Sequence, residues 1–76
     1  MIPISELKEG QRAVITQLLG GPGFAQRLRP MGVREGKEVR MITRQPLGGP
    51  VVICIDDRAT TVGRMMAQRI MVQPLP

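Results

Sequence analysis

Apolar side chains in this chain recur in short alternating runs, interrupted once by a longer spacing. From Gln11 to Leu18, Ala13 and Ile15 fall on one face and Val14 and Thr16 on the other, the two-residue period of a strand. From Gly36 onward, Val39, Met41 and Thr43 face one way and Glu38, Arg40, Ile42 and Arg44 the other, which predicts a second strand. Val51 to Ile55 is apolar on both faces, as in a strand covered on both sides, and Asp56-Asp57 reads as a tight turn into Arg58–Val62. Met71 and Val72 begin a last strand that Pro74 ends. Between the first two strands the period lengthens: Phe24, Leu28 and Met31 stand at i, i+4 and i+7, one stripe of a helix whose opposite side carries Gln26, Arg27 and Arg29. Pro22 suits the first turn of that helix and Gly32 a left-handed cap. Pro30, which lacks an N–H and restrains Arg29, stops it near Arg29 and leaves Met31 in a turn.

Two shorter segments complete the pattern. Pro3 to Gly10 predicts a single helical turn with Ser5 as a capping type and Ile4 and Leu7 plugging one end of a barrel. Gly63 to Gln68 holds a turn or two of helix, with Met66 and Ile70 directed inward. The four residues Leu19-Gly20-Gly21-Pro22 recur as Leu47-Gly48-Gly49-Pro50, each time where alternation stops. Both copies read as corners, as does Gly36 before the second strand. They are no sign of duplication, since one leads into a helix and the other into a strand. The expected fold is mainly β: a small, partly open barrel of about five strands with one inserted helix and short helical turns, spanning 1–76 as one domain.

Composition narrows the function. At 76 residues the core is thin, and a deep active-site cavity is not expected. Hydrophobic residues make up 42% of the chain, yet Phe24 is the one aromatic, so the core must be assembled from Val, Ile, Leu and six Met. Eleven Lys and Arg against six acids give +5, which points to an acidic partner surface, a nucleic acid or an anionic membrane face, and nine of the cations are Arg, whose planar fork suits carboxylate or phosphate. The single Cys54 can form no intramolecular disulfide. No apolar run approaches the ~20 residues of a membrane span, and no leader is evident, so the expected location is cytoplasmic.

The missing residue types exclude most chemistry. There is no His, Asn, Trp or Tyr and one Ser, so no Ser-His-Asp or Cys-His arrangement can be assembled, and no catalytic residues, cofactor or small-molecule substrate are expected. Zinc ligands are too few, and the carboxylates form no hard-ion loop, so no metal site is expected; Cys54 reads as a small buried hydrophobe. Gly32 to Lys37 has the wrong spacing for a phosphate loop. Arg27, Arg29 and Arg34 form a basic cluster with three open readings: a solvated helix face, a contact for an acidic protein surface, or a phosphate track. Nucleic acid is the least favoured, because aromatic platforms for bases are lacking. Phe24, Leu28, Met31, Met65 and Met66 form an adaptable apolar set that could line a partner-binding groove, although most are needed in the core. Met65, out of step with Met66 and Ile70, is the one expected at the surface.

Five segments in order, Pro3–Gly10, Gly20–Gly23, Leu28–Gly36, Pro46–Pro50 and Ala67–Val72, together resemble the FeoA family nearly from end to end. The resemblance implies an SH3-like β-barrel with an inserted helix. It also implies a cytoplasmic accessory role in ferrous-iron uptake, exerted on the GTPase-bearing part of the membrane transporter FeoB, with weak self-association admitted. Similar domains end iron-dependent repressors, so an iron-responsive regulatory domain and a basic nucleic-acid-binding barrel stand as alternatives. The partner-binding residues expected on this reading are Phe24, Arg27, Leu28, Arg29, Met31, Arg34 and Met65. The sequence departs from the family at the hairpin tip, which lacks glycine, and at Arg64-Met65-Met66, which is more apolar than in many relatives.

Overall fold

Six strands, β1 (Ile2–Pro3), β2 (Arg12–Leu18), β3 (Glu38–Thr43), β4 (Val51–Ile55), β5 (Arg58–Val62) and β6 (Ile70–Pro74), form one antiparallel sheet in the order β1-β6-β2-β3-β4-β5. They belong to a computed structural model that describes residues 1–45 and 47–76. Pro46, the first residue of the family-like segment Pro46–Pro50, lies outside the described residues. Among the described residues, two helices, α1 (Gly21–Leu28) and α2 (Arg64–Ala67), and single helical turns at Ile4–Glu6 and Arg29–Met31 complete the fold.

The sheet curls because alternation breaks at defined places. The register of β2 on β6 shifts between Ile15 and Gln17, and that of β3 on β4 between Met41 and Thr43. Such bulges bend a strand and increase its twist. The inward faces of the strands then enclose Ala13, Ile15, Val39, Met41, Ile53 and Val72, while Ile4 and Leu7, fully buried, close one end as their spacing predicts. Leu28, Val33 and Ile70 seal the same core, with no buried polar or charged residue among those described.

α1 ends as its sequence predicts. Gly32 adopts φ 80° in the left-handed region, its N–H bonds the carbonyl of Arg29 at 2.9 Å, and the N–H of Val33 bonds that of Leu28 at 3.2 Å. This is a Schellman closure, with the Pro30 turn inside it. The Leu-Gly-Gly-Pro corners each use their two glycines differently. Gly21 and Gly48 take φ 76° and 77°, whereas Gly20, at φ −177°, is extended and is required for space: a Cβ there would meet the Phe24 side chain at 2.6 Å. Pro22 sits in the first turn of α1, Gly36 turns at φ 89° into β3, and Gly49 and Pro50 lead into β4.

Several expectations are corrected. The sheet has six strands, because Ile2–Pro3 pairs with Val72 and Met71 of β6. Ser5 caps nothing: the residue before the first turn is Pro3, with no side-chain cap bond. Thr43 is exposed instead of sharing the inward face of Val39 and Met41, since the bulge after Met41 breaks the period. Cys54 is half-buried, on the outer face of β4. The methionines contribute less core than expected: Met41 is fully buried, Met31 and Met66 pack at its margin, and Met1 and Met65 are exposed.

Candidate interaction surface

The basic cluster is assembled by one long-range hydrogen bond and one helix cap. The N–H of Leu19, just past β2, bonds the carbonyl of Arg69 at 2.8 Å, which brings the segment before β6 alongside the entry to α1. Arg69 and Arg27 then converge on the same ring, their Cζ atoms 6.0 and 5.9 Å from the Phe24 centroid. Cations at this range from an aromatic ring gain about 0.5–1 kcal/mol each when exposed, enough to orient the side chains. Phe24 itself is 3% exposed, sealed beneath the guanidinium groups.

On the far side of α1, the Schellman turn places Arg34 beside Arg29. The two flank a shallow groove whose walls are Leu18, Ala25 and Val33, with Glu35 as the acid among its lining residues. Arg27, Arg29, Arg34 and Arg69 are all exposed, and among the described residues none of them forms an ion pair. Two cations elsewhere are matched: Arg12 lies 3.4 Å from Glu38, and the Lys37 ammonium bonds both carboxylate oxygens of Asp56 at 2.8 and 2.9 Å. The Lys37 hydrogen bond holds the Asp56 carboxyl below the usual aspartate range, against a raising effect of desolvation, and the charges of Lys37, Arg34 and Arg58 add to the lowering. Among the described residues, four of the unpaired, exposed arginines thus lie on or beside α1, and other unpaired cations, Arg40, Arg44, Arg58 and Arg64 among them, are distributed over the rest of the surface.

The expected contact residues divide accordingly. Arg27, Arg29 and Arg34 share the exposed face. Met31 packs half-buried against the core margin beside it. Phe24 and Leu28 are core residues, 3% and 0% exposed, and offer no surface; their part is to hold α1 on the sheet. Met65 is 62% exposed but belongs to α2, which packs on the Ile4–Glu6 turn. Arg69 is the addition that sequence reasoning missed. Its place depends on the pairing of β2 with β6, and no local spacing signals that. Among the described residues, no three Cys, Asp or Glu side chains gather as metal ligands, and no helix is long and apolar enough to cross a membrane.

A curled antiparallel sheet of this order with one inserted helix is an SH3-like domain, and comparison with known proteins supports that class and narrows it. The sequence model of the FeoA domain matches residues 2–74. A Methanocaldococcus jannaschii protein, whose name proposes a role as Fe(2+) transport protein A, is 34% identical over 73 residues, covering 96% of this chain and 87% of that one. The crystal structure of an iron uptake regulatory protein, FeoA, superposes with a TM-score of 0.90 at 30% identity, covering 97% of both chains. A Stenotrophomonas maltophilia FeoA complexed with zinc superposes at 0.79 with 27% identity, covering 96% of this chain and 91% of that one. That protein is described as a procaryotic SH3 domain and suggested to act as a ferrous iron transport activating factor. The chain belongs to the FeoA domain family, a family involved in ferrous iron transport.

Proposed function

We propose that this chain is a non-enzymatic, cytoplasmic accessory of ferrous-iron uptake that acts by binding the GTPase-bearing part of the membrane transporter FeoB through the basic face of α1. The observation that carries the reading is a cluster of exposed arginines beside an apolar groove. Four exposed arginines, without ion-pair partners among the described residues, surround one helix next to an apolar groove. Such a face fits an acidic, partly apolar protein surface, and it lacks the aromatic platforms that would suit bases. Arg29 and Arg34 reach carboxylates at the rim, Leu18, Ala25 and Val33 supply the apolar floor, and Arg27 and Arg69 steer the encounter.

Titration calorimetry against the soluble GTPase-bearing domain of the transporter tests this. The double variant Arg27→Glu with Arg29→Glu is expected to bind at least about tenfold more weakly and to lose most of the salt dependence, with an unchanged circular dichroism spectrum. Unchanged affinity and salt response would refute the site. Tight binding of duplex or single-stranded nucleic acid at physiological salt would favour the nucleic-acid alternative instead.

A further inference from the structure

The second Leu-Gly-Gly-Pro corner has no part in the α1 face, yet its glycines, like Gly20, make room for side chains. A Cβ on Gly49 would meet Cγ and Cβ of Gln45 at 2.8 and 2.9 Å, so the Gln45 side chain lies where only a glycine admits it. At Gly48, φ 77°, the Arg64 side chain lies over the open face, its Nε and Cζ 3.5 and 3.7 Å from the place of a Cβ. The corner thus seats an amide and a guanidinium that come from two different elements.

Both side chains line one open pocket of about 280 Å³ whose remaining polar wall is Ser5, Glu6, Arg44 and Gln68. The backbone places each of them. The N–H of Arg44, just past β3, donates to Glu9 Oε2 at 3.2 Å, which ties down the main chain there and leaves the guanidinium free. Arg64 and Gln68 stand four residues apart, joined by the bond from the Gln68 N–H to the Arg64 carbonyl at 3.2 Å, and so share one face of α2 and its cap. α2 packs on the Ile4–Glu6 turn, which brings Ser5 and Glu6 to the same pocket. Arg44, Arg64 and Glu6 are exposed, and among the described residues none of the three forms an ion pair.

We propose that this pocket binds a small organic monophosphate whose remainder carries hydroxyl groups, the chemistry of a sugar phosphate. Two guanidinium groups lining one pocket repel each other, and an oxyanion between them removes that repulsion through charge-assisted, forked hydrogen bonds. Ser5, Gln45 and Gln68 add neutral donors. Five donor side chains exceed what the two oxygens of a carboxylate take up, whereas the three terminal oxygens of a phosphate monoester accept from several sides. Glu6 selects the rest of the ligand: its carboxylate accepts from hydroxyl donors and repels a second anionic group, which disfavours polyphosphates and nucleic acid. The volume suits a ligand smaller than the drug-sized molecules that fill pockets of ~300–1,000 Å³. The pocket shares no residue with the groove beside Leu18, so the site is independent of the role proposed for α1.

Titrating the isotopically labelled full chain with ribose 5-phosphate, inorganic phosphate, ribose and pyrophosphate tests the proposal, with backbone amide and arginine Nε–H shifts as the readout. Ribose 5-phosphate is expected to saturate in the millimolar range or below with shifts at Arg44, Gln45, Gly48, Arg64 and Gln68, inorganic phosphate to bind the same residues more weakly, and ribose not to bind. Arg44→Gln with Arg64→Gln is expected to weaken ribose 5-phosphate at least about tenfold, with circular dichroism confirming the fold, while Arg40→Gln, outside the pocket, leaves it unchanged. Glu6→Gln is expected to raise the affinity for pyrophosphate relative to ribose 5-phosphate. The proposal is overturned if ribose 5-phosphate shifts nothing at these residues, if it shifts all exposed arginines alike and Arg40→Gln weakens it as much as the double variant, or if acetate binds as tightly.

Discussion

Asp56 shows how much one side chain can tie together here. It sits at the tip of the β4–β5 hairpin with positive φ, and its two bonds to Lys37 lash that tip to the loop before β3. Because Lys37 lowers the Asp56 pKa in the folded chain, the folded state holds its proton less tightly than the unfolded one. The stabilisation is therefore complete above the ordinary aspartate value, about 3.9, and is lost as pH falls from there through the lowered folded value. Urea midpoints measured from pH 7 to pH 2 are expected to drop for the wild type across that acid range. Asp56→Asn is expected to start less stable at pH 7 and to show a smaller acid drop. An identical pH profile for the variant would mean that the ion pair contributes nothing. Phe24 is a second such residue: the lone aromatic, it fixes α1 over Gly20 and orders two arginines above its ring.

Most elements were legible in the sequence because their signals are local. The i, i+4, i+7 stripe of α1, its proline and its capping glycine all lie within eleven residues, and the structure ends the helix where they say. The cap can be tested by itself. Gly32 holds φ 80°, and a Cβ there would come within 3.1 Å of the Ile55 side chain. Gly32→Ala is expected to cost about 1–2 kcal/mol in equilibrium urea unfolding, from the left-handed backbone alone before any crowding. A cost below a few tenths would argue against the Schellman closure as a source of stability. What stayed hidden depends on pairing between distant segments. β1 is too short to show alternation, the bulges at Ile15–Gln17 and Met41–Thr43 exist only relative to partner strands, and Arg69 reaches Phe24 only because Leu19 bonds its carbonyl. The arginines of α1 were legible as residue types in sequence, while their common face and the groove beside Leu18 were not.

Taken together, a chain of +5 groups four exposed arginines, unpaired among the described residues, around one helix and two more about the pocket beside α2, so recognition is spread over the outer surface of a thin-cored barrel. Both surfaces are carried by a core without buried polar groups among the described residues, which leaves the outside free to vary without loss of fold. A partner that binds through the basic face must touch α1 and the segments beside it. Titrating the isotopically labelled chain with the soluble GTPase-bearing domain of the transporter, and following amide chemical shifts, reads that out residue by residue. Perturbations concentrated on α1, the Arg29–Gly36 segment and Arg69, fading as salt is raised, are the predicted result; shifts confined to other surfaces, or none at high partner excess, would contradict it.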